Sequence, residues 1–316
     1  MSFKQRVLYC FWGVRSLFKE LSARKSASAR DAFLAAELIR NTHSVEKGLC
    51  IENPRLGFGH KKQREMLNLI QRLKDSKSGY CREAVEMATD ALRAYLKFHD
   101  EREYSDEFNV EMKAFLDREA PESAPSTSGG YLELNRADLT FDESEIERFI
   151  KSRHSIRDFA DVDVDETTLR RALELAQYAP SACNRQGVRA YVMNATQTRA
   201  LARDMEGIGG FAESVKRFVL ITGKLTSYRI GEQRQYIVSA SIYAAYLTLT
   251  LHLYGLGGCV VQRPLFWTKD WSKTRAELGI PEDEQLVCML AVGALKETMR
   301  VPISHRLSNE EMIRFL

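Results

Sequence analysis

Between residues 3 and 21 the apolar positions Phe3, Val7, Phe11, Val14, Phe18 and Leu21 recur at helical spacing, with Lys4, Arg15 and Lys19 elsewhere on the wheel. That pattern predicts an amphipathic helix. The same periodicity predicts helices over 28–48, 57–74 and about 80–98, and a shorter one within 100–117. The run 53–57, with Pro54 and Gly57, breaks the second from the third. Residues 119–130 then hold two prolines, two glycines and four hydroxyl side chains, a composition that cannot build a core and reads as a linker. Beyond it helices alternate with short apolar runs. Asp142 followed by Glu145 starts a helix to 152, and another runs from 166 to 178, stopped by Pro180. Residues 188–193, 218–222 and 286–292 read as buried strands. A helix over 235–254, terminated by Gly255, is apolar around its whole circumference and is expected to be buried at the centre of a domain or a dimer. The expected organisation is a helical extension over 1–118, a linker over 119–131 and an α+β domain over 132–316.

Composition changes this picture in two places. Of 316 residues, 44% are hydrophobic, which excludes disorder of the whole chain. The formal net charge of +3 conceals +9 over residues 1–80, −10 over 81–150 and +4 over 151–316. The first 25 residues alone carry six basic groups and one acid, so the first helix either packs its stripe on a domain or dimer partner or lies on an anionic membrane surface. The basic residues of 1–80 lack interleaved aromatic platforms and a recognisable module, so no nucleic-acid partner is expected. Cysteines at 10, 50, 81, 183, 259 and 288 form no C-x-x-C pair, which predicts reduced thiols and a reducing, cytoplasmic setting, peripheral to the inner face of the membrane if the first helix takes the membrane alternative. No apolar run is expected to span a bilayer, and no signal peptide is expected.

Four segments carry candidate chemistry. Arg153, His154, Ser155 and Arg157 place two guanidiniums, an imidazole and a hydroxyl after a helix, a set that suits a phosphate monoester or else forms a solvated basic turn. Residues 179–186, with Pro180, Ser181, Asn184 and Gln186, form a polar turn that either meets the edge of a flat heterocycle or simply stops a helix. Gly255, Gly257 and Gly258 precede Val261 and Gln262 and would permit close backbone approach, but the spacing is not that of a dinucleotide fingerprint. Arg306 stands before an acidic helix. In the extension, His43 and Glu46 share a helical face; an ion pair or cap, a lid over a ligand, and a metal site are the three readings, and with no second such pair no metal is expected.

Taken in order, R-H-S-x-R at 153–157, A-P-S-x-x-N-x-Q at 179–186, G-L-G-G-C at 255–259, L-G-I-P at 278–281, A-V-G at 291–293 and the late Arg306 resemble the flavin-dependent nitroreductase family over roughly residues 142–316. The resemblance implies an α+β sandwich with a central, mainly antiparallel sheet flanked by helices, dimerised through long central helices with FMN at the subunit interface. It implies that Arg153, Ser155 and Arg157 hold the FMN phosphate with Arg306, and that His154 lies beside them. Pro180, Ser181 and Asn184 would line the isoalloxazine from the other subunit, with Gln186 near the ribityl chain, while Val261 and Gln262 approach N5 through their backbone. The implied activity is ping-pong hydride transfer from NADH or NADPH through FMN to a small organic acceptor, with no protein catalytic residue. The alternatives are specialised flavin chemistry without nicotinamide, and a non-catalytic flavin-binding protein recruited to a membrane assembly. Two positions depart from the pattern: Gly187 and Val188 stand where many relatives have proline and an aromatic residue, and Ser304 stands where a second basic ligand is frequent.

Overall fold

The computed structural model describes residues 3–23, 25–119, 128–205, 208–232, 234–261 and 272–316. The first part is all helical: Phe3–Ser22 (α1), Ala27–Leu49 (α2), His60–Leu73 (α3), Gly79–Asp100 (α4) and Glu107–Glu119 (α5). Ser26 caps α2 by accepting from the Ala29 N–H. Helices α2 to α5 bury Leu38, Ile39, Met66, Ile70, Leu92, Tyr95 and Met112 in one cluster confined to residues 35–116. Apolar residues at i, i+3 and i+4 on each helix supply those faces.

Most of the linker (120–127) lies outside the described residues. Its end is held by the extension: the Ser128 N–H donates to Asp90 Oδ2 (3.0 Å) and the Gly130 N–H to Glu46 Oε1 (3.3 Å). Between them Gly129 lies against α4, where a Cβ would sit 2.2 Å from the Met87 carbonyl oxygen. Only glycine allows that approach.

The second part contains Glu143–Ser152 (α6), Glu166–Ala176 (α7), Val188–Val192 (β1), Ala195–Asp204 (α8), Arg217–Lys224 (β2), Gln235–Leu253 (α9), Leu256–Val261 (β3), Ser272–Glu277 (α10), Glu284–Ala294 (β4) and Asn309–Met312 (α11). The strands form one antiparallel sheet in the order β1-β2-β4-β3. Alternation along β2 sends Val219 and Ile221 toward α7 and α9, with Ala172, Ala240, Leu247 and Leu251. Phe218 and Leu220 face the opposite layer, with Ile156, Phe159, Met193 and Met289. A sheet covered on both faces makes the α+β sandwich. Helix α8 was not anticipated, although Asn194 and Gln197 form a full capping box at its start. Helix α6 starts as expected, with the Asp142 carboxylate accepting from the Glu145 N–H.

One expectation is met in part within the single chain, and one changes. Helix α9 is buried on one face only. Tyr236, Ala240, Tyr243, Ala244, Leu247 and Leu251 pack inward, whereas Val238, Ala245, Tyr246 and Leu253 are exposed in the single chain. By length and composition it is also apolar enough to cross a bilayer, contrary to the expectation that no segment is. Its inner face, however, is packed on the sheet.

The two parts meet through specific groups. Helix α2 packs on short 3-10 turns at Ala182–Asn184 and Leu225–Ser227. Arg229 forms an ion pair with the buried Glu37, which also pairs with Arg40 (3.1 Å). Burial alone would raise the Glu37 carboxyl, but the guanidiniums of Arg229 and Arg40 outweigh it and hold the pKa below the usual range.

Candidate functional site

The first group forms where α9 ends and β3 begins. Gly255 adopts φ +70 and donates its N–H to the His252 carbonyl (3.1 Å), ending the helix and turning the chain into β3. Ser155 bridges to Gly258, with the Ile156 N–H donating to the Gly258 carbonyl (3.1 Å), so residues 153–157 are held across this corner. Arg153, His154 and Ser155 are half-buried and Arg157 is exposed. Their convergence is registered by two neighbours. Burial lowers the pKa of His252, and the charges of Arg153 and His154 lower it further. Burial raises the Cys259 thiol, while Arg157, the Ser155 hydroxyl and Arg153 pull it back. His252 also meets the Ser152 hydroxyl (2.8 Å) and stacks on Phe149. Among the described residues no ion pair engages Arg153 or Arg157. A cationic, hydroxyl-bearing corner of this kind matches the chemistry of a phosphate monoester.

The glycines of this corner serve packing. A Cβ on Gly257 would lie 3.0 Å from Phe159 and 3.1 Å from Ile156, and one on Gly258 would lie 3.1 Å from Leu251. These positions admit side chains of the same chain rather than leaving space for a ligand. Val261 is buried and pairs with Met289, while Gln262 lies outside the described residues.

The second group is the loop over 179–187. Pro180 and Gln186 are exposed, and Ser181 and Asn184 are half-buried. Cys183, Asn184 and Gln186 all adopt positive φ (52, 53 and 49), the left-handed region that costs a non-glycine residue about 1 kcal/mol. Arg185 holds them there. Its side chain is 1% exposed and pairs with Glu232 through two parallel bonds of 2.7 and 2.6 Å. It also donates to the carbonyls of Ala182 (3.1 Å) and Ser227 (2.9 Å). From the extension, the Tyr80 hydroxyl donates to the Arg185 carbonyl (2.9 Å), and burial, which pushes its pKa up to about 12, keeps it a donor. Ser181 Oγ accepts from the Gln186 N–H (3.0 Å). The loop is therefore pre-shaped, with polar groups left toward its exposed side.

Gly187 explains one departure noted above. A Cβ there would lie 2.6 Å from both Cβ and Oγ of Ser227. We expect Gly187→Ala to destabilise the chain by about 1–3 kcal/mol, measured as a shift in the urea midpoint; an unchanged midpoint would show that Ser227 moves aside freely.

The two groups do not meet within one chain. Ser155 is bridged to Gly258, which pairs with Val292 near one end of β4. The 179–187 loop leads into Val188, which pairs with Gly223, and Gly223 pairs with Gln285 near the other end of β4. Strand rise and strand spacing put these diagonal corners about 27 Å apart. Arg306 is exposed in the C-terminal segment and donates to the Ser304 carbonyl (2.5 Å).

In the extension, His43 Nδ1 and Glu46 Oε2 are 3.3 Å apart, and Glu46 also receives the Gly130 N–H. The two side chains thus meet on one helical face, the arrangement expected of the ion-pair-or-cap reading. No cluster of three metal-ligating side chains exists among the described residues. Sequence reading missed Arg185, Glu232, Tyr80 and His252. The only signal for any of them was Arg185 lying inside the 179–186 motif; the others are far from it in the chain.

Residues 150–213 match the model of the Nitroreductase family. Among solved structures it is similar to an FMN-dependent nitroreductase of Clostridium difficile R20291, with 26% identity over 53% of this chain and 96% of that one, at a TM-score of 0.45. A nitroreductase family protein of Streptococcus pneumoniae TIGR4 is 22% identical over 54% and 100% of the two chains (TM-score 0.44). The FMN-dependent nitroreductase of Mycobacterium smegmatis, solved with NADPH, is 21% identical over 55% and 100% (TM-score 0.44). No curated protein matches the chain.

Proposed function

We propose that residues 132–316 form an FMN-binding oxidoreductase domain that works as a homodimer and passes hydride from NADH or NADPH to a small organic acceptor. The family match over 150–213 supports the oxidoreductase class and FMN. The observation that carries the shared-site reading is the diagonal separation of the two polar groups, about 27 Å by strand geometry and longer than one FMN. A two-fold partner would bring the Arg153 corner of one chain to the Ser181–Asn184 loop of the other. Three exposed apolar features offer the contact surface. They are the outer face of α9 (Val238, Tyr246, Leu253), Ile146 and Ile150 on α6, and Ile303, Leu307 and Phe315 in the C-terminal segment.

In this reading Arg153, Ser155 and Arg157 hold the FMN phosphate, and His154 lies alongside. Arg306 reaches the phosphate when the C-terminal segment packs on the partner. Pro180, Ser181, Asn184 and Gln186 orient the ring and ribityl chain, with Arg185 fixing their backbone. Val261 presents its backbone to the ring edge. FMN supplies the hydride chemistry when bound. The chain's own task is to position it, and no side chain is assigned a proton-transfer role. The division into an extension over 1–118, a linker over 119–131 and this domain belongs to the same proposal. It is supported by buried clusters that keep to residues 35–116 and to 156–292.

The purified chain is expected to be yellow and to bleach with NADH or NADPH. Replacing Arg153 and Arg306 together with alanine is expected to weaken FMN at least about tenfold per guanidinium, read by fluorescence titration. A folded chain that takes up no FMN would overturn the reading. Bound flavin inert to both nicotinamides would leave FMN binding standing and remove the reductase.

A further inference from the structure

The apolar stripe of α1 is largely exposed among the described residues. Phe3, Val7, Phe11, Val14, Phe18 and Leu21 are all exposed, Phe3 by 83% and Phe18 by 66%. The helix meets the body through its last two turns, where Lys19 Nζ donates to Gln285 Oε1 (2.7 Å) and Leu17, Glu20 and Leu21 border a hollow with Tyr228 and Tyr236. Over the first three turns, the side chains of Phe3, Arg6, Val7, Cys10 and Phe11 are exposed. A helix in water draws its stability mainly from burying its apolar face, so a stripe whose Phe3, Val7, Val14 and Phe18 side chains stay exposed is built for a cover that the described residues do not supply.

Charge identifies the cover. Six basic groups and one acid fall within the first 25 residues, and Arg6 is exposed beside the stripe. Seating α1 on a second copy would set +5 against +5. An anionic lipid surface instead gains from the same groups, by a factor of about five per basic residue near the surface. A helix with aromatic residues on its apolar side and basic residues elsewhere is suited to lie in the plane of a membrane interface. We propose that α1 docks in the plane of an anionic phospholipid bilayer, burying the Phe3–Leu21 stripe. Its base at Lys19 and Gln285 fixes the rest of the chain beside the membrane. This inference is independent of the flavin reading.

The test is co-sedimentation of the full chain with vesicles of 30% phosphatidylglycerol in phosphatidylcholine, and with pure phosphatidylcholine. Binding is expected to be at least about tenfold stronger to the anionic vesicles at 0.1 M salt and to weaken at 0.5 M. Val7→Glu/Phe18→Glu is expected to lower it at least about tenfold, and Arg6→Glu several-fold, with circular dichroism and thermal midpoint unchanged. A second pair, Phe3→Glu/Phe11→Glu, decides the matter if the first perturbs folding. The proposal fails if the folded chain ignores anionic vesicles, or if both stripe variants bind as well as the parent. It fails equally if the stripe variants abolish only self-association in sedimentation velocity, which would assign the face to a second copy.

Discussion

Glu232→Ala is expected to cost about 3 kcal/mol of stability, the lower end of the range for removing one partner of a buried ion pair. Arg185, 1% exposed in the parent chain, would keep its bonds to Ala182 and Ser227 but lose its carboxylate. The lower end applies because Glu232 is itself 33% exposed, so water reaches the edge of the pair. The thermal midpoint is expected to fall by roughly 5–10 °C. The double change Arg185→Met/Glu232→Leu is expected to recover part of the loss, since two apolar side chains leave no unpaired charge. If Glu232→Ala melts like the parent, the pair is not what holds the loop. The pH dependence has a definite sign. Bonds from Arg185 lower the Glu232 carboxyl from its ordinary value near 4.5 to about 2. A lowered acid contributes stability that is fully present above the unfolded value and is lost as pH falls from about 4.5 through about 2. Glu232→Gln should flatten that part of an acid-unfolding curve.

Mixing two defective chains is expected to restore flavin binding that neither possesses alone. One chain would carry Arg153→Glu/Arg157→Glu, which reverses the charge of the basic corner. The other would carry Ser181→Trp, which fills the loop side and is tolerated by the extended backbone at Ser181 (φ −132, ψ 157). If each FMN is held by the corner of one chain and the loop of its partner, each homodimer has both sites spoiled. A mixed dimer has one intact site and one doubly defective site. Random assortment after refolding an equal mixture makes half the dimers mixed, so about a quarter of the parental FMN should bind. No recovery, with mixed dimers demonstrated by native mass spectrometry, would mean that the two groups do not share a ligand. This test separates the shared site from flavin binding in general, which the titration of Arg153 and Arg306 already addresses.

The elements with local signals were legible from the chain. The apolar run ending at Gly255 marked α9, and Asp142 with Glu145 marked the start of α6. The capping box at Asn194 and Gln197 is an equally local signal for the start of α8. Which side of α9 is covered could not be read, because an apolar residue looks the same in sequence whether its neighbour belongs to its own chain or to another. The basic corner and the polar loop were recognisable as motifs from their residue types. Their placement at opposite corners was not, since it depends on the strand order β1-β2-β4-β3. Least legible were the supports. Arg185 finds Glu232 47 positions later, and Tyr80 reaches the loop from 105 positions earlier. Such pairings arise from the packing of whole elements and leave no trace in local spacing.

The contact between Tyr80 and the Arg185 carbonyl has a consequence for the order of events during synthesis. The cluster that seats Tyr80 draws only on residues 35–116, so it can close while the strands are still being translated. At cellular elongation rates the 105 residues between the two partners take roughly 5–20 s to appear, far longer than small helical units need to fold. The strained loop therefore emerges onto a surface that already exists. The extension acts first as a mould for the loop and afterwards as its brace.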